Sequence, residues 1–159
     1  MSHRRAGGSD HHHIDHQTTI RHSVPQTTSR QIYKVVADDK AHSVFNGRVL
    51  VLEDAQHTDA EQRNDNLLLS DSAVANSKPQ LEIFADDVRC SHGTTVGQLD
   101  DDALFYLRAR GIPRDEAVAL LIEAFADDRV QAVANEKIAS LVRAAVQHRL
   151  QELSEVVNG

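Results

Sequence analysis

A chain of 159 residues is long enough for the core of one ordinary domain. Its 24 acidic side chains outnumber 17 basic ones, for a formal net charge of −7, and the arginines are scattered among acids; this argues against a phosphate-binding surface for nucleic acid. Aromatics make up 4% with no Trp, so the core must be aliphatic, and a single Cys excludes an internal disulfide and fits a reducing, cytoplasmic compartment.

The opening MSHRRAGGSDHHHIDH has no apolar h-region, so no signal peptide is expected. No apolar run approaches the roughly twenty residues of a membrane span. Residues 1–29 are poor in apolar side chains and rich in His, Ser, Thr and Gln; alone they would be disordered. Within them, His12 with His16, or His13 with His22, has the chemistry to chelate a metal, and His11 lies beside them. Without a scaffold, ordering such ligands costs chain entropy that a chance site does not recover.

Extended segments follow at Gln31–Ala37, Ser43–Leu52, Asn66–Leu69, Gln80–Ala85 and Val88–His92. Val, Ile, Leu, Phe and Tyr recur in them. Asp38-Asp39, Asn46-Gly47, Ser77-Lys78-Pro79 and Asp86-Asp87 read as the turns between them. No amphipathic helix interrupts the run, which argues against a doubly wound α/β sheet. A sandwich, a barrel and a β-solenoid all remain, and the acid-rich corners and uneven rungs favour the solenoid.

From about Leu99 the period becomes helical. Asp100 is an N-cap, with Asp101 and Asp102 in the first turn. Leu104, Leu107 and Phe105 form the first stripe, and Gly111 ends the helix. Pro113 opens a second helix carrying Ala117, Leu120, Leu121, Ala124 and Phe125. A third is expected from Arg129 to Leu153, with Val130, Val133, Ala134, Ile138, Leu141, Ala145 and Leu150 on one side. Phe105, Tyr106, Leu121, Ile122 and Phe125 leave these helices apolar on more than one face. Packing among the helices accounts for that, and so does a docking surface for a partner.

The chemistry-bearing group is Cys90-Ser91-His92. On a strand, residues two apart share a face, so the thiol and imidazole stand together with Ser91 opposite. Thiolate and imidazole suit zinc, iron or an iron–sulfur cluster, but structural zinc wants four ligands and ordinary clusters want four cysteines. The chain cannot complete either, so remaining ligands would come from another chain. A free Cys also behaves as a small hydrophobe and a single His as an ordinary polar residue, and spacing alone leaves both readings open. The carboxylates Asp38, Asp39, Glu53, Asp54, Asp86 and Asp87 sit at turns, where Asp serves the backbone. No phosphate-binding loop and no nucleophile elbow is present.

Pro79 to Ile112, PQLEIFADDVRCSHGTTVGQLDDDALFYLRARGI, closely resembles the C-terminal signature of the SufB/SufD family of iron–sulfur cluster assembly proteins. The resemblance runs back through QRNDNLLLS (Gln62 to Ser70), Val44 to Arg48 and Tyr33-Lys34, and forward through Glu116-Ala117 and LLIEAF (Leu120 to Phe125). Within the family, Cys90-Ser91-His92-Gly93 matches the SufD branch, whereas the SufB branch is more acidic there. The resemblance implies the last rungs of a β-helix over 30–98, a His-rich segment with a first rung over 1–29, and a helical domain over 99–159. It implies a non-catalytic scaffold that pairs with a SufB-like subunit through the β-helix and docks a SufC-like ATPase through its C-terminal helices. His92 is then the metal-binding residue, holding a nascent cluster or iron, transiently, with a cysteine of the SufB-like partner, and Cys90 lies beside it in the cofactor-binding motif. Two other readings stand beside this: a truncated, purely structural fragment, and a metal-dependent hydrolase using His92 with Asp86 or Asp87.

Overall fold

The computed structural model describes residues 12–130 and 135–157. It holds two compact units, divided between Gln98 and Leu99. The first contains strands β1 (His13–His22), β2 (Thr28–Ala37), β3 (His42–Val51), β4 (Asp59–Leu68), β5 (Val74–Ile83) and β6 (Arg89–Gln98). The odd strands form one parallel sheet in the order β1-β3-β5, and the even strands another in the order β2-β4-β6. The chain therefore changes sheet after every strand and returns to each sheet roughly thirty residues later, within the range of a structural repeat.

β3 shows why these residues form strands. Ser43, Phe45, Gly47, Val49 and Val51 are buried while the residues between them are half-exposed, a strict period of two. Val49 and Val51 join Ala55, Ala60 and Ala85 in an apolar cluster, against which Ile20, Leu81, Val88 and Cys90 pack. The inward row of β4 is different in kind: after Ala60 it reads Gln62, Asn64 and Asn66, all buried. Gln62 Nε2 donates to Gln31 Oε1 at 2.7 Å, and Gln31 Nε2 donates to Thr18 Oγ1. Asn64 Nδ2 donates to Ser77 Oγ at 3.1 Å, and Asn66 Nδ2 to the Thr95 carbonyl at 2.9 Å. Buried amides survive there because neighbouring strands offer them partners.

Several expectations change. β1 is a ten-residue strand, so the histidine-bearing segment does have a scaffold: the ladder with β3 from His13–His42 to His22–Val51 pairs one edge of its backbone. Asn46-Gly47 is no turn but the middle of β3. A Cβ at position 47 would lie 2.6 Å from Phe45 Cζ and closer still to the Gln62 amide, so Gly is required by close approach. Ser77-Lys78-Pro79 likewise lies inside β5, an outer strand of its sheet, where the missing N–H of Pro79 breaks no ladder on the far side. Of Asn66–Leu69, the first three residues are only the end of β4, and Leu69 lies beyond it. The polar first half of β4 escapes a search for apolar alternation, because its inward side chains are amides. Asp38-Asp39 and Asp86-Asp87 do lie at corners, with Asp39 at φ 53°. The corners stack: Gln26 N donates to Gln56 O at 2.8 Å and His57 N to Asp87 O at 2.6 Å.

The second unit holds α1 (Asp101–Ala109), α2 (Arg114–Val130) and α3 (Glu136–Val157). Asp100 Oδ1 accepts from Asp102 N at 2.9 Å and from Ala103 N at 3.1 Å, the expected cap. Gly111 follows α1 at φ 87°, its N–H on Arg108 O and that of Ile112 on Leu107 O. α3 begins at Glu136 rather than Arg129, because Asn135 Oδ1 caps it from Lys137 N at 3.1 Å and Ile138 N at 3.3 Å. Among its described side chains Ala139 is buried, while Ile138 and Leu141 of the expected inner face are exposed. Val133 and Ala134 lie outside the described residues, as do the side chains of Val130 and Leu150.

Candidate functional site at the outer strand of the second sheet

β6 is the outermost strand of its sheet and pairs in register with β4, Cys90 beside Ala60 and His92 beside Gln62. Register partners on parallel strands share a face, so Cys90 and His92 continue the inward row of β4, with Ser91 on the opposite face. The two side chains meet different surroundings. Cys90 is half-buried against the apolar cluster. Burial pushes its thiol up, the backbone bond with Ala60 opposes this, and the Asp59 charge adds to the rise. The thiol is therefore held protonated at neutral pH. His92 is exposed, because among the described residues no strand of the sheet lies beyond β6. It lines an open pocket of about 280 Å³ with Glu61, Gln62 and Arg63 of β4 and Thr94 and Thr95 of β6.

Among the described residues no group of three or more His, Cys, Asp or Glu side chains is gathered to hold a metal ion. Of the two carboxylates in the hydrolase reading, Asp87 is engaged with another residue: its Oδ2 lies 2.9 Å from His57 Nδ1. The N-terminal histidines are also separated. His13 stacks edge-on against His42 at 5.0 Å, and His16 lies 5.4 Å from the Tyr33 ring. His22 is buried at the far end of β1, its ring nitrogens 2.6 Å from Thr27 Oγ1 and 2.9 Å from Ser29 Oγ. His11 lies outside the described residues.

Gln62 is the residue that apolar alternation and metal-ligand spacing both pass over. A signal for it does exist in the sequence, since Gln31, Gln62 and His92 recur at nearly one structural repeat.

The sequence of residues 4–125, which includes all six strands, matches the SUF system FeS cluster assembly, SufBD core domain family. The chain belongs to this SufB/SufD family. Within it, the similarity is to SufD, in its C-terminal part. SufD of Escherichia coli is 43% identical over 136 residues, covering 86% of this chain and 32% of that protein. A SufBD family iron–sulfur cluster assembly protein of Synechocystis is 42% identical over 135 residues, covering 85% and 30%. SufD of Bacillus subtilis is 41% identical over 90 residues, covering 57% and 21%. The chain thus spans about a third of the length of the first two of these relatives. These relatives carry the names of assembly proteins. No helix among the described residues is long and apolar enough to cross a membrane.

Proposed function

We propose that the chain serves as a non-catalytic scaffold in iron–sulfur cluster assembly by the SUF system, as a SufD-like subunit in the cytoplasm. In this reading the two-sheet stack is the last part of a β-helix spanning 30–98, with its first rung within 1–29. It pairs with a SufB-like subunit, and the helical domain over 99–159 docks a SufC-like ATPase. His92 contributes one imidazole ligand to iron or a nascent cluster, which is cargo, and a cysteine of the SufB-like partner contributes a thiolate. Thiolate and imidazole both bind iron well. ATP binding by the partner moves the docked helices and opens the interface to iron and sulfur.

The observation that carries this is the exposed imidazole on an outer strand, in a family of cluster assembly proteins, with no group of three or more His, Cys, Asp or Glu side chains gathered to hold a metal among the described residues. Half a site is useful where a neighbour supplies the rest. Cys90 is the weaker ligand of the pair, since metal binding needs a thiolate and its surroundings favour the thiol. The test is a complex of the three subunits carrying His92→Ala. Cluster maturation is expected to be lost while the subunits still co-elute, and a fully active complex refutes the role.

A second reading, a purely structural interaction fragment, draws on the helical unit, where Phe105 and Leu141 are 74% and 70% exposed. Co-purification with a SufC-like ATPase but not with a SufB-like subunit favours it.

A further inference from the structure

The amide row beneath His92 has a direction. Gln62 Nε2 donates to Gln31 Oε1 at 2.7 Å, and Gln31 Nε2 donates onward to Thr18 Oγ1. Both of these amides donate to a side chain on an earlier strand, which leaves the oxygen of Gln62, the last of the two, to be accounted for. Gln62 Oε1 is buried, and no hydrogen-bond donor among the described residues reaches it. The residue in register on that next strand is His92, and Gln62 and His92 line the same pocket. Adjacent parallel strands lie about 4.8 Å apart, within reach of a Gln and a His on one face. Gly47 sits where a side chain would displace the Gln62 amide, so the sheet opposite leaves room for this arrangement.

We propose that Gln62 is a positioning residue for His92: its Oε1 accepts the one N–H of the neutral imidazole and leaves the lone pair of the other ring nitrogen free to bind. This rests on the reading of His92 as an iron ligand and names how that ligand is prepared. Three facts support it. A buried amide oxygen without a donor is costly, by about 1–3 kcal/mol, and the imidazole N–H is the in-register group able to relieve it. A metal-binding His ordinarily donates its other N–H to a carbonyl or carboxylate, which fixes tautomer and ring orientation. The alternative acceptors in the pocket, Glu61 and the β6 hydroxyls, lie on the outward face or on His92's own strand.

The experiment needs no metal, partner or cluster, so it fails or succeeds apart from the role of His92 in assembly. The full chain is labelled with ¹⁵N, and the two ring nitrogens of each His are read by NMR at a pH where imidazole is neutral. The His92 signals are identified by their loss in His92→Asn. In the wild-type chain, well-separated ring-nitrogen shifts for His92 are expected, as for a single tautomer. In Gln62→Leu the separation is expected to shrink toward that of a free, averaging imidazole. The ring signals of His22, held by Thr27 and Ser29, report in the same spectra that the fold is intact. His92 shifts unchanged in a folded Gln62→Leu chain overturn the proposal. Where that variant fails to fold, Gln62→Glu fills the same space with acceptors alone and is expected to keep the wild-type tautomer; a switched tautomer overturns the proposal. Averaged His92 shifts in the wild-type chain overturn it without any variant.

Discussion

Gly47 and Gln62 occupy facing positions and explain one another. The amide of Gln62 is 1% exposed and reaches Gln31 because nothing projects from residue 47. In Gly47→Ala the new methyl meets the buried Phe45 ring, which is packed against Tyr33 at 4.8 Å, and the Gln62 amide, which has to swing away. Such overpacking costs about 1–3 kcal/mol. A lower urea midpoint with an unchanged slope is expected for Gly47→Ala, together with loss of the Gln62–Gln31 bond. At the same scale Cys90 and His92 show how neighbours of like parity diverge. One closes the edge of an apolar cluster, and the other has, among the described residues, no strand beyond it to cover its ring.

The elements divide by what their sequence advertises. β3 alternates openly, and α1 carries its cap, its acidic first turn and its terminal glycine in plain order. For α1 the cap energy is local. Asp100→Ala removes one oxygen that serves two backbone N–H groups, a loss of about 1 kcal/mol. Amide exchange at Asp102 and Ala103 is expected to quicken roughly five-fold, with the strands unaffected. β4 and β5 advertise little. β4 buries amides in place of aliphatic side chains, and β5 carries Ser77-Lys78-Pro79 where a turn would be expected. Neither pattern is legible without the neighbouring strand, because an amide is a good core residue only when a register partner completes its bonds. The start of α3 at Glu136 is hidden for a related reason: it depends on the Asn135 side chain folding back to accept from Lys137 N and Ile138 N.

For the whole chain, acid sensitivity is expected to come in part from His22. Burial lowers the tendency of this imidazole to take up a proton, so its folded pKa lies below the ordinary value of 6.5. The unfolded chain then binds more protons than the folded one as the pH falls from 6.5 toward that lowered value. Stability contributed by neutral His22 is complete above 6.5 and is lost as the pH drops through this window. The urea midpoint is expected to fall between pH 8 and pH 5, and the fall is expected to be smaller in His22→Gln, which keeps polar contact with Thr27 and Ser29 but does not titrate. An equal fall in both chains contradicts the assignment.

Composition and pattern alone determined that the chain holds strands followed by helices, and singled out Cys90 and His92 as candidate ligands. The aromatic Phe45 and the amides Gln62, Asn64 and Asn66, which share the core with aliphatic side chains, went unannounced. The strands, the helices and the candidate ligands follow from properties each residue carries with it: apolarity at a period of two or 3.6, capping side chains, and the softness of thiolate and imidazole. Register and burial were decided only in three dimensions. β1 became a strand because β3 pairs one edge of its backbone, and the thiol turned to the apolar cluster while the imidazole stayed open. Gln62 came to face His92 because two strands distant in sequence align to the residue. Such contacts belong to pairs of segments and not to either one, and no local pattern contains them.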